Sequence, residues 1–445
     1  MSSVSPSPYR QVLALPGVTR LLLFAVLARV PITAAGVVLT LHVVTALHGG
    51  YAAAGLVATA STVADAVGGP WRGRAVDRSG LRRALLPSVV VATAAWALAP
   101  FASYRQLLVL AVAGGLLGLP VFTVVRQSLS VLVPVGQQRT AFSLDGVGTE
   151  ASFMIGPAVG VLLCTQASTR VALCALAGAT LVVGLGLLAM NPPTRTAVTT
   201  GFGRHPAPVG ASAPTPAQAP GAPVPGRPGV AALARREWFT PSLVAVLAVA
   251  AGATVVLAGT DVALVAHLRE HGAIGLTGLV FVAWGASSMA GGLVYGSLHR
   301  QVSPFVLLLA LALLTVPVGA APGPALLLVT ILPAAAVCAP VIAATAEGVS
   351  RAVTEGARGE AMGWHGAALR VGSAIGAPLA GVFMDAQGAW SGFVAVGGAG
   401  AMIAGSGLLV VHRRRRQPLL VASSSRPDAP SAAIGAGRQG GDGLP

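Results

Sequence analysis

The chain has no lysine and a single asparagine, Asn191. Only 9% of its residues are charged, against roughly a quarter in an ordinary soluble protein. So little charge excludes a normal water-facing surface and fits a lipid-facing one, and 54% of the residues are hydrophobic, with a mean hydropathy of +0.79. Without lysine there is no Gly-rich phosphate loop of the G-x-x-x-x-G-K-[ST] kind, so the chain is not expected to supply its own ATPase. The three cysteines, Cys164, Cys174 and Cys338, lie in apolar stretches without metal-ligand spacing. They read as packed thiols, although Cys164 and Cys174 flank a short loop and are candidates to meet. No metal or cofactor is expected. The eight histidines are scattered, and no Ser/His/Asp, HExxH or Cys/His constellation is present, which argues against an enzyme. His42, His267 and His365 fall near the ends of apolar runs and read as interfacial.

What is abundant is long apolar runs. A helix needs roughly 20 apolar residues to cross the hydrocarbon core. Counting such runs gives twelve spans: 20–45, 52–72, 84–103, 107–130, 141–164, 169–190, 241–266, 275–298, 304–321, 324–346, 361–384 and 391–411. The net charge is +15, but the basic residues sit in clusters between runs rather than along one face, so nucleic acid is not the partner. With the N-terminus placed inside, 22 arginines, Arg72 and Arg74 among them, fall in inner segments and three, Arg105, Arg170 and Arg269, in outer loops. That bias places both termini in the cytoplasm, and a bacterial cell membrane is the expected location.

Residues 191–238, rich in Pro, Ala and Gly, break the pattern and read as a disordered linker. The organisation is then an N-terminal segment 1–19, a six-helix half 20–190, the linker, a second six-helix half 239–412, and a tail 413–445 that also reads as disordered. The halves show faint similarity. Gly68-Gly69 with Gly73 recurs as Gly291-Gly292 with Gly296, and Pro157-x-x-Gly160 recurs as Pro378-x-x-Gly381. Six helices return the chain to the same side, so the expected architecture is an all-α membrane protein built from two parallel repeats.

After the second span the sequence runs Gly73-Arg-Ala-Val-Asp77-Arg78-Ser-Gly80-Leu81-Arg82-Arg83. This resembles the signature loop of the major facilitator superfamily, G-x-x-x-D-R-x-G-R-[KR], and departs from it at Leu81. The resemblance extends to the whole layout of twelve spans and a central linker. It implies a transporter fold in which Asp77 meets the N-terminus of the eleventh helix across the interface between halves. Physically, Gly73 and Gly80 permit close approach and a tight turn, a helix N-terminus favours an anion, and Arg78, Arg82 and Arg83 can pair with carboxylates or lipid phosphates. The loop reads as a gate, or as a positive loop that only sets topology. In the fifth span, Gly156-Pro157-Ala-Val-Gly160 partly resembles the antiporter motif of drug exporters in this superfamily, with Ser152 and Val161 where further glycines belong. It is equally readable as a packing kink.

Charged residues within spans are costly, so each is a functional candidate. These are Arg29, Asp65, Arg126, Glu150, Asp261 and Arg370. Arg29 or Arg126 is an expected partner for Glu150, and Arg370 for Asp65 across the two halves. Asp145 and Glu347 lie at span ends and read as interfacial. Unpaired in apolar surroundings, Glu150 would instead suit proton carriage. Gln127 is nearly the only amide in the spans, and the remaining lining is Ser, Thr and sparse aromatics such as Phe122, Phe153, Phe281 and Trp284. That composition favours a small apolar or amphipathic substrate over a sugar. The leading function is proton-coupled export by a monomer embedded in the bilayer. The alternatives are proton-coupled uptake of a small organic acid and a non-transporting scaffold or sensor with the same fold.

Overall fold

The computed structural model describes residues 8–195, 238–298 and 302–416; most of the 191–238 linker and residues 417–445 of the tail lie outside the described residues. In lipid every backbone polar group must be satisfied within the chain, which leaves the helix as the natural element for long apolar runs. The spans are α1 (Val18–Leu41), α2 (Tyr51–Ser79), α3 (Leu81–Leu98), α4 (Tyr104–Leu116 and Val121–Leu132), α5 (Gln138–Gln166) and α6 (Thr169–Met190). The second half comprises α7 (Pro241–Glu270), α8 (Thr277–Ser297), α9 (Pro304–Thr315), α10 (Pro324–Ala352), α11 (Arg358–Gln387) and α12 (Ala389–Arg416). Ten helical segments among the described residues are long and apolar enough to cross a membrane. The other two are α2, which carries Asp65, Arg72, Arg74, Asp77 and Arg78, and α9, which is short even with its 3-10 extension Val316–Ala320. Large side chains such as Leu23, Leu27, Val90 and Val182 stay exposed on the outside of the bundle, as a lipid-facing surface requires.

The fourth run is not one helix. It breaks between Leu116 and Val121, and the carbonyls freed at the break are taken up by Arg72, whose Nη1 donates to Gly115 O at 2.6 Å and to Leu116 O at 2.9 Å. Arg72, sorted by sequence with the inner-loop arginines, is therefore a buried residue of the bundle.

Each half repeats the same packing. α1 lies on α5 as α7 lies on α11, α2 on α4 as α8 on α10, and α3 on α6 as α9 on α12. Two seams join the halves, α2 against α11 and its counterpart α8 against α5. The sequence register follows: Gly136 and Gly356, Ala141 and Ala361, and Gly156 and Gly376 all stand 220 residues apart. The same offset pairs Thr140 with Glu360, Asp145 with His365 and Glu150 with Arg370. Gly69 and Gly73 stand 223 residues before Gly292 and Gly296, which pairs Asp65 with Ser288.

Among the described residues, the halves share an apolar cluster at one end of the bundle. At the end bearing Arg74, Arg139, Arg351 and Arg358, a single apolar cluster includes Leu21, Val76, Leu129 and Phe142 of the first half with Leu243, Ala343 and Met362 of the second. Toward the other end, the described clusters belong to one half or the other, around Val38 and Leu173 or around Leu264 and Phe393. Glycine makes the closure possible. A Cβ at Gly73 would sit 2.1 Å from Gly359 O, a backbone contact that no side chain tolerates.

Candidate functional site

The polar groups at the seams form three tiers along α5 and α11, five residues or about 7.5 Å apart. The first tier closes the arginine-rich end. Asp77, 3% exposed at the end of α2, accepts from the backbone N–H of Gly359 at 3.0 Å and of Glu360 at 2.8 Å. These are free donors of the first turn of α11, where a helix N-terminus favours an anion. Gln127 Nε2 donates to the same carboxylate at 2.9 Å. Arg74 grips Glu360 with two N–H groups, the Nε one at 2.8 Å. At the other seam Thr140 Oγ1 donates to Gly296 O at 2.7 Å, and Arg139 donates to Leu298 O at 2.8 Å and faces Glu347. A short helix, Pro8–Leu13, lies over this seam with the Tyr9 hydroxyl on Leu293 O.

Of the signature-loop residues, Gly73 and Asp77 stand at the seam, while Arg78, Arg82 and Arg83 are exposed and Arg82 Nε donates to Leu188 O at 3.1 Å. Gly80 caps α2 with φ of 78°, a left-handed conformation suited to glycine. Sequence reasoning missed Arg74 and Glu360. The available signal was the four-residue stripe Gly69, Gly73, Asp77 on α2 facing Gly359 and Gly363 on α11, which puts position 74 beside the contact. In α5, Gly156 and Gly160 pack on α1: a Cβ at Gly156 would lie 1.9 Å from Thr33 Oγ1, and one at Gly160 would lie 3.1 Å from Val38 Cγ2. Pro157 lies inside that helix between them.

The second tier is a buried charge cluster. Asp145 binds Arg29 Nη2 at 2.5 Å and Arg126 Nε at 3.2 Å, and all three are at most 6% exposed. Both guanidiniums also lie by the Phe122 ring, at 4.6 and 6.0 Å from its centroid. This corrects two expectations. Asp145 is a core residue and not interfacial, and it, not Glu150, is the partner of Arg29 and Arg126. The reason is depth: α5 starts at Gln138, so Asp145 lies level with both arginines and Glu150 stands five residues beyond. Glu347 and His365 are likewise buried, not interfacial. Glu347 pairs with Arg351 at 2.5 Å, and His365 reaches across from α11 to Arg126.

The third tier differs between the seams. At α2 and α11, Asp65 pairs with both Arg370 and Arg72, so the Asp65 and Arg370 suggested by sequence do meet. At the equivalent place between α8 and α5, Glu150 accepts from Ser288 Oγ at 3.0 Å and lies 3.5 Å from Cys338 Sγ. The same serine oxygen accepts the Ala339 N–H at 3.1 Å. Among the described residues, no arginine pairs with Glu150 or with Asp261. Asp261, on α7 of the other half, is exposed and within electrostatic range of Glu150. An exposed carboxylate on a lipid-facing surface would be costly, so this one belongs to the gap between the halves.

Comparison with known proteins agrees with this architecture. The family model for the Major Facilitator Superfamily matches residues 21–322. The human organic anion transporter MFSD10 has 17% identity, covers 90% of this chain and 99% of its own, and superposes with a TM-score of 0.63. The proton:xylose symporter XylE has 12% identity, coverage of 87% and 94%, and a TM-score of 0.62. The E. coli fucose:proton symporter FucP has 14% identity, coverage of 88% and 98%, and a TM-score of 0.63. No curated protein matches the chain. The chain belongs to the major facilitator superfamily and has its twelve-helix transporter fold.

Proposed function

We propose that this member of the superfamily is a secondary active transporter that exports a small apolar or amphipathic organic molecule in exchange for protons, by rocking one half against the other. The arginine-rich end, both termini and the linker face the cytoplasm of a bacterial cell. The described conformation is then closed toward the cytoplasm, with the substrate path open to the outside.

The observation that carries this reading is the pair Glu150 and Asp261: two carboxylates without a cation partner among the described residues, one from each half, beyond the closed end. A carboxylate in low dielectric with no counter-charge takes up a proton readily. Binding on opposite walls of one gap lets a proton or a substrate alter how the halves fit together. Proton-coupled uptake of a small organic acid is the second reading, and Arg370, 39% exposed beside Asp65, is the cation that would receive such a substrate.

Two measurements test the proposal. A strain lacking the transporter and one overproducing it are screened against a broad compound set, following sensitivity and intracellular accumulation. Lower accumulation on overproduction supports export, higher accumulation supports uptake, and no change for any compound favours a scaffold. For topology, Thr354→Cys, with Cys164, Cys174 and Cys338 replaced by serine, is treated with a membrane-impermeant thiol reagent in intact cells. Labelling from outside would reverse the orientation.

A further inference from the structure

His365 lies in the second tier, 1% exposed, and its contacts fix its protonation. Arg126 Nη1 lies 3.2 Å from His365 Nδ1. A guanidinium only donates, so Nδ1 must present its lone pair. On the other side, His365 Nε2 lies 3.0 Å from Thr345 Oγ1, and that hydroxyl already donates its hydrogen to Ile342 O at 2.8 Å. Thr345 therefore accepts, and Nε2 carries the only ring proton. Two independent contacts require the same neutral tautomer.

The charged surroundings leave no room for a second proton. From α4 Arg126 faces the ring, with Asp145 of α5 and Arg29 of α1 behind that guanidinium. On α2, Asp77 and Arg74 are engaged at Gly359 and Glu360, and Asp65 and Arg72 at the level of Arg370. On α10, Glu347 is engaged by Arg351 and Arg139. On α7, Asp261, His267 and Glu270 lie toward the far end of the helix. A proton on Nδ1 would point one N–H at another and set an imidazolium against a guanidinium.

Arg126 and His365 belong to different halves, so the contact exists only while this end is closed. We infer that His365 is a proton checkpoint: it admits a proton when the arginine-rich end opens and must release it before that end can close. The inference rests on the proposal that the halves part at this end. It assigns His365 no part in carrying protons across; it bars closure while a proton remains there. The sign follows from linkage. The open form binds a proton that the closed form excludes, so acid favours the open form. For an imidazole with the ordinary pKa of about 6.5, the open-to-closed ratio rises about tenfold between about pH 8 and about pH 5.5.

The test is a distance distribution between spin labels on the full chain in lipid nanodiscs. Labels are placed at Val135→Cys and Thr354→Cys, exposed positions in loops of the two halves, with Cys164, Cys174 and Cys338 replaced by serine. Acidification from about pH 8 to about pH 5.5 should raise the ratio of the long- to the short-distance population about tenfold more with histidine as native than without it. His365→Asn keeps an acceptor near the Nδ1 position but cannot titrate, and should lose that tenfold rise, keeping only the pH dependence that the carboxylates give both proteins. Should this variant fail to insert, His365→Gln replaces it with the same expectation. An equal change of the ratio with pH in the protein retaining His365 and in the substituted one overturns the checkpoint. No substrate enters the measurement. Failure of the transport reading would appear only as absent flux in the compound screen.

Discussion

At the seam between α2 and α11, a carboxylate meets two guanidiniums; at the matching place between α8 and α5, a carboxylate meets a hydroxyl and a thiol. The backbone packing is the same, made twice. The residues have diverged so that Arg370 stands where Glu150 stands in the other half, and Ser288 where Asp65 does. The first seam resembles a structural joint, with its carboxylate compensated. The second leaves a carboxylate with no arginine partner among the described residues, within electrostatic range of a second one on the other half. Symmetry builds the two seams, and departure from symmetry gives one of them a chemistry the other lacks.

The sharpest contrast should be in stability. Asp145→Asn leaves Arg29 and Arg126 buried without a counter-charge, and should cost about 3–5 kcal/mol, seen as early thermal unfolding in detergent. Adding Arg126→Gln should recover part of that loss. Glu150→Gln breaks no ion pair and should change stability by no more than about 1 kcal/mol, since only a serine and a thiol bond are altered. Equal destabilisation by the two substitutions would erase the distinction between paired and unpaired carboxylates.

The next effect comes from making the seams alike. Glu150→Arg combined with Ser288→Asp installs at α5 and α8 the pair found at α11 and α2. The double variant should insert and remain folded while losing more than tenfold in transport, because the carboxylate proposed to take up the proton is replaced by a fixed ion pair. Undiminished flux would show that the asymmetry has no role.

Smaller still is the effect at the first tier. Asp77→Asn removes an anion from the N-terminus of α11, worth about 0.3–1 kcal/mol, and up to about 2 when partly buried. Two kcal/mol changes a two-state ratio about thirtyfold. The expected outcome is a normally inserted protein with weakened transport and a population shifted toward opening at the arginine-rich end, read by the same label pair. Normal transport and an unmoved distance would leave the loop only a role in topology.

The fold was legible because apolar runs and arginine placement are properties of composition, and lipid imposes them on any chain that crosses it. The signature loop also carried its own geometry, since Gly73 and Asp77 fall one turn apart on the face that meets α11. The pairing of the buried charges was much less legible. Asp145 and Glu150 both lie in the fifth span, and choosing between them required knowing that α5 begins at Gln138 and not near residue 141. A shift of three residues moves a side chain about 4.5 Å in depth and nearly one turn in direction. Arg72 was misread for a related reason. Its partners are backbone carbonyls at a helix break between Leu116 and Val121, and nothing in that run of apolar residues except Gly118 and Pro120 announces the break.

Glu150 is the group proposed to link proton movement to substrate movement. The direct measurement uses a compound whose accumulation the strain comparison alters, in proteoliposomes bearing the native protein or Glu150→Gln. Exchange of labelled for unlabelled compound is followed without a gradient, and accumulation is followed with an imposed pH gradient. Glu150→Gln should retain exchange and lose gradient-driven accumulation. Accumulation equal to that of the native protein, with the same dependence on the gradient, would contradict the account.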